Sequence, residues 1–168
     1  MICLDGTEKD AIVLQHLALL KHNLNIKTIY FFHVIKRSLV PESISRLFSD
    51  YQEEGKEVEK SIIELIKNEW AFSTLHYEVV IEKGRLLEKT LQAIKKYNID
   101  LLLLGRNTED NLDYTNQKIA SLAHCSVLFI PHVRSDKYHK IVVPIDFSEN
   151  SKIALRRVLW QKERNPNL

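Results

Sequence analysis

A chain of 168 residues has room for one domain and a remainder, and its 45% hydrophobic and 27% charged content is that of a globular, not a disordered, protein. The formal net charge of +2 is small and no long Lys/Arg cluster concentrates it, which argues against nucleic acid or an anionic membrane surface as partner. The longest apolar runs, at 101–104 and 127–131, are far too short for a membrane span, and the start Met1-Ile-Cys-Leu-Asp5 lacks the basic and apolar segments of a signal peptide.

In chain order, Ile2, Cys3 and Leu4 read as a short strand running into Asp5-Gly6-Thr7, which is turn chemistry. A helix is expected over 8–21, with Ile12, Leu14, Leu17, Leu19 and Leu20 as its apolar face. Residues 26–35, rich in β-branched and aromatic side chains, predict a buried strand. A long polar helix begins after Pro41, with Gly55 as an expected break and the charges of 52–60 as a solvated face. Alternation over 75–81 predicts a strand, with Leu75, Tyr77, Val79 and Ile81 on one side. Glu82-Lys83-Gly84 turns into a helix over 85–97, which Asn98-Ile99-Asp100 ends. Leu101-Leu-Leu-Leu104 is a strand buried on both faces and is followed at once by Gly105. A short helix over 115–123 and a last strand over 126–131 complete the pattern. Strands alternating with helices imply a doubly wound parallel α/β sheet, with any ligand site at the carboxyl ends of the strands.

After Pro131 the pattern restarts. Residues 132–139 form a charged linker, and Lys140-Ile-Val-Val-Pro-Ile-Asp146-Phe147-Ser148 reads as a strand followed by a helix over 149–160. This repeats Ile2-Cys-Leu-Asp5-Gly6-Thr7-Glu8 in order and spacing, so 140–168 is expected to open an incomplete second unit. A strand and one helix cannot bury a core alone, so the segment needs something to dock on.

Four stretches carry a family resemblance. Asp5-Gly6-Thr7-Glu8 after a strand, Phe31-Phe32-His33-Val34, Gly84 with the helix leading to Asp100-Leu-Leu-Leu-Leu-Gly105, and Ala123-His-Cys-Ser-Val-Leu-Phe-Ile-Pro131 together resemble the universal stress proteins over 1–131. The resemblance implies a five-stranded parallel sheet of order 3-2-1-4-5, with pairing through the last strand either in a homodimer or between tandem copies. In ATP-binding members the base lies near the first strand's Asp and the end of the second strand. The phosphates sit on a Gly-x2-Gly-x9-Gly-Ser/Thr loop after the fourth strand. Carried over, Asp5 and Val34 match the base end, Gly105 the first glycine and Thr108 the second, while the Gly-Ser pair falls on Asp113-Tyr114. Glu109 and Asp110 add negative charge to a shortened loop in which Arg106 is the nearby cation, an arrangement that opposes a triphosphate.

The expected function is therefore a non-catalytic stress-response binding or assembly module in the cytoplasm, with no cofactor and a degenerate phosphate loop. The alternative is an ATP- or nucleotide-binding protein, or a slow ATPase, with the competent site in a second domain. Asp5, Thr7 and His33 could be imagined as a hydrolase site, but Asp5 and Thr7 read as helix caps and His33 as a core or rim residue. The seven histidines show no metal-ligand spacing, and Cys3 and Cys125 read as small buried apolar residues in a reducing compartment.

Overall fold

The first strand is three residues long because Asp5-Gly6 turns the chain at once, Gly6 taking a φ of +81° that favours glycine. The computed structural model describes residues 1–20, 24, 26–36, 50–70, 75–106, 114–131, 133 and 141–164. Its elements are β1 (Ile2–Leu4), α1 (Lys9–Leu20), β2 (Thr28–Lys36), α2 (Asp50–Trp70), β3 (His76–Gly84), α3 (Leu86–Lys96), β4 (Leu101–Gly105), α4 (Tyr114–Leu122), β5 (Ser126–Ile130) and α5 (Glu149–Arg164). The strands form one five-stranded sheet of order β3-β2-β1-β4-β5, parallel at every pairing. The fold class is the one the alternation of strands and helices implied, and the strand order is the one the family resemblance implied.

Strand alternation divides the core in two. Ile2, Leu4, Ile29, Phe31, Leu103 and Ile130 face α1 and α2, where Val13, Leu14, Leu17, Ile62 and Ile66 meet them. Phe32, Val34, Leu102 and Leu104 face the other way, onto Ala93 and Ile94 of α3 and Ile119 of α4. Each such large apolar side chain, taken fully out of water, contributes about 1.5–3 kcal/mol. Helices on both faces explain why β4 is an unbroken leucine run with no polar alternate. The end of α3 is also specified locally. Asn98 has φ +48°; its N–H bonds Lys95 O at 3.4 Å and that of Ile99 bonds Ile94 O at 3.0 Å, the paired bonds of a left-handed helix stop.

Four expectations need correction. α2 runs through Gly55 without a break, since a lone glycine costs only about 1 kcal/mol in a helix. The buried face of α1 is Asp10, Val13, Leu14, His16 and Leu17, while Ile12 and Leu19 are half-buried. α1 is apolar nearly all round, so periodicity could not choose its face. β3 continues to Gly84, absorbing the turn expected at 82–84, and as an edge strand it leaves Tyr77 exposed. Residues 141–146 form no strand: no described strand pairs with them, and Ile141, Val142 and Ile145 stand exposed. The helix that follows does form, and Arg157 Nη1 ties it to Ser126 Oγ of β5 at 2.7 Å.

Candidate functional site

The strand order reverses at β1, whose neighbours β2 and β4 lead to helices on opposite faces, so the switch point, where sheets of this kind hold ligands in a crevice, lies at their carboxyl ends. Three of the four residues matched to a nucleotide site come together there. Leu4 pairs with His33 and Cys3 with Leu104, so Asp5, Val34 and Gly105 lie within one residue of the same level on three adjacent strands. Thr108, with Glu109, Asp110 and Asp113, lies outside the described residues.

The three differ in what they offer. Asp5 is exposed; its Oδ1 accepts from the Thr7 N–H at 2.9 Å and from the Thr7 hydroxyl, and Thr7 Oγ1 in turn accepts from the Lys9 N–H at 3.3 Å. This is capping chemistry at the start of α1. β1 stops at Leu4 while β2 continues to Lys36, so Val34 stands beside the turn, but its side chain packs in the second core cluster. Gly105 closes β4; its carbonyl accepts from Asn116 Nδ2 at 3.1 Å, and the next N–H, that of Arg106, bonds Ile130 O at 2.8 Å. Arg106 is exposed. Tyr114, at the start of α4, is 64% exposed, with Lys118 Nζ 5.7 Å from its ring centroid. An exposed aromatic ring thus stands at the N-terminal end of α4.

Sequence reasoning missed Asp10. Its side chain is buried, 3% exposed, and accepts from the Asp5 N–H at 3.1 Å through Oδ1 and from the Gly6 N–H at 2.8 Å through Oδ2. Desolvation pushes its carboxyl up to about 6 against these two bonds, and the neighbouring Asp5 charge adds to the rise. The backbone donors at the top of β1 are therefore held by the chain's own carboxylates, in the place where an external anion would seek them. The available signal was Thr7-Glu8-Lys9-Asp10, an acidic residue three places after a helix cap.

The corner recurs in the tail. Ser148 N–H bonds Asp146 Oδ1 at 2.9 Å, as Thr7 bonds Asp5, and Phe147 takes φ +65° where Gly6 has +81°. The hydroxyl contacts of Ser148 hold the Asp146 carboxyl down at about 2. Ser151 stands where the first corner has Asp10; its hydroxyl donates to Ser148 O at 3.0 Å.

His33 Nδ1–H donates to Leu4 O at 3.0 Å, which fixes the ring at the rim of the crevice. His16, which the sequence did not single out, is buried on α1 and its Nε2–H donates to Val133 O at 2.9 Å, anchoring the chain just after β5. Cys3 and Cys125 pack against the second core cluster, each partly buried. Burial pushes the Cys3 thiol up to about 12. Cys3 lies level with Leu104 and Cys125 with Asp100, two strands apart. That separation, roughly 10 Å across and 13 Å along the sheet, forbids a disulfide between them. Among the described residues no three His, Cys, Asp or Glu side chains gather to hold a metal, and no helix is long and apolar enough to cross a membrane.

Comparison with known proteins gives the same fold. The hypothetical protein MJ0577, whose structure served a structure-based assignment of biochemical function, aligns at TM-score 0.63 and 20% identity over 80% of this chain and 96% of its own. Universal stress protein UspA from Lactobacillus plantarum aligns at TM-score 0.60 and 15% identity, covering 77% and 95%. A universal stress protein solved in complex with cAMP aligns at 0.58 and 11%, covering 79% and 94%. No curated protein matches in sequence. The family model for universal stress proteins matches residues 1–131, and with the sheet order and the crevice in place, the chain belongs to the universal stress protein family.

Proposed function

We propose that this chain is a non-catalytic binding module of the stress response, whose crevice accepts a base or nucleoside but holds phosphate weakly and needs no cofactor. The observation that carries the reading is the Asp10 carboxylate on the Asp5 and Gly6 N–H groups. The ends of β1 and β4 are adjacent and nearly level, so an anion held at the end of β4 would face the Asp5 and Asp10 carboxylates. Exposed Tyr114 at the start of α4 and the acidic loop residues Glu109, Asp110 and Asp113 support it. The test is a thermal shift with adenosine and with ATP and magnesium. Adenosine should raise the melting temperature and ATP should add nothing beyond it, because only a ligand that binds the folded state stabilises it. A larger rise with ATP than with adenosine overturns the reading.

The second reading is a nucleotide binder or slow ATPase, for which Gly105 at the end of β4 and the cAMP of the structural neighbour both speak. Nucleotide co-purifying with the protein would select it. The recurring corner at Asp146–Ser151 supports reading 140–168 as the opening of a second unit. Pairing through β5, with a second copy or with that unit, is supported by the edge position of the strand and the 39% exposure of Phe129. Sedimentation at two concentrations tests the first of these, with a cytoplasmic setting as the working assumption.

A further inference from the structure

Two parts of this chain have unfilled strand positions. β5 is an outer strand of the sheet, and residues 141–145, of strand composition, pair with no described strand. Among the described residues, every exposed large apolar side chain except Tyr77 and Tyr114 lies at Leu122 or later, so apolar surface is concentrated around these two parts. We infer that two copies of this chain exchange the segment: residues 141–145 of each copy add as an antiparallel strand to the β5 edge of the other. The exchange rests on the reading that β5 is a pairing edge, and it names the strand that fills that edge.

The hydrogen-bond phase of β5 fixes which backbone groups are free to pair. Ser126 N–H bonds Asp100 O at 3.1 Å, and Ile130 O accepts from the Arg106 N–H at 2.8 Å. Residues 126, 128 and 130 therefore turn their backbone towards β4, while Val127 and Phe129 turn theirs outward. The segment matches this phase. With Ile141 opposite Phe129 and Val143 opposite Val127, each pair exchanges both its N–H and its C=O, and Val142 falls opposite Leu128. Pro144, which has no N–H, then falls opposite Ser126 with its nitrogen turned away from β5, where no donor is needed.

The other edge is the poorer acceptor: β3 carries Glu78, Glu82 and Lys83, whereas Ser126–Ile130 carries no charge. The chain's own β5 is not the partner, because His16 Nε2–H donates to Val133 O at 2.9 Å and so draws the chain off the edge and onto α1. From Val133 to Ile141 the backbone can span about 27 Å, enough to reach the edge of a copy lying alongside. Reciprocal exchange about a twofold axis fills both edges and uses both segments, which closes the assembly at two copies. A foreign strand on β5 would leave the chain's own segment unmatched.

The test is sedimentation of the full chain from micromolar to submillimolar concentration, for the wild type and two variants. The wild type should pass from monomer to dimer as concentration rises. Ile141→Pro removes an N–H that faces β5 and should raise the dissociation constant about tenfold or more. Val142→Pro, at a position turned away from β5, should raise it much less. Ile141 is 44% and Val142 89% exposed in the single chain, so circular dichroism and the urea midpoint of both variants should match the wild type. A chain that stays monomeric throughout overturns the exchange together with the reading of β5 as a pairing edge. A dimer that Ile141→Pro leaves intact overturns the exchange alone, as does equal weakening by both variants, since the segment then does not pair in this phase.

Discussion

Replacing Asp10 by Asn should change both the stability of the fold and the way that stability depends on pH. In the folded chain this carboxyl is pushed up to about 6 from an ordinary 3.8, so between those values the folded state binds more protons than the unfolded one. Stability from this group therefore falls as pH rises through that window and returns as pH drops. The full difference, at ~1.4 kcal/mol per unit, is about 3 kcal/mol, of which about 1 kcal/mol is recovered between pH 7 and pH 5. Asn cannot titrate, and its amide presents a donor to one of the two N–H groups, leaving that group unsatisfied at a cost of about 1–3 kcal/mol. The variant should thus lie modestly below the wild type at pH 7 and fall a further ~1 kcal/mol behind at pH 5. Urea unfolding at both values measures this, and subtracting the variant removes every other titrating group. Parallel wild-type and variant curves would refute the reasoning, because Asp10 would then titrate alike in the folded and unfolded chains.

Other predictions concern the core, the turns and the thiols. Leu102 is fully buried between β1 and β5, so Leu102→Ala should cost about 3–5 kcal/mol, read as a lower urea midpoint at unchanged slope. Gly6→Ala meets no atom closer than 3.6 Å, so its cost is the left-handed backbone alone, about 1–2 kcal/mol, visible as a lower melting temperature. Phe147→Gly should act with opposite sign. The ring is 82% exposed and the residue holds φ +65°, so hydrogen exchange along α5 should slow. Cys3, with its thiol pushed up to about 12, should react with a thiol reagent at pH 8 far more slowly in the folded protein than in urea.

How much was legible varies by feature. The two-sided strands were clear because their composition has one physical meaning: Leu101-Leu-Leu-Leu104 can be accommodated only between two layers of helix. Ordered turn residues marked where those strands end, so Asp5, Val34 and Gly105 were assigned to one edge and are found on one edge. The orientation of Val34 was not legible, since β2 is apolar on both sides and only pairing with β1 and β3 decides which face each residue takes. Residues 141–146 misled for a related reason. They have strand composition, but a strand needs a neighbour, and the described chain supplies none.

Local chemistry sufficed for the parallel α/β class, the switch-point crevice and the repeated Asp-x-Ser/Thr corner, because periodicity and turn residues act over a few positions. The tertiary structure alone decided that Asp10 faces inward. α1 is apolar nearly all round, so its buried stripe was set by docking on the sheet, and that docking carried a carboxylate out of water and onto the backbone of the preceding turn. A helix's face is a property of what it packs against, and so is the charge that face brings to the site.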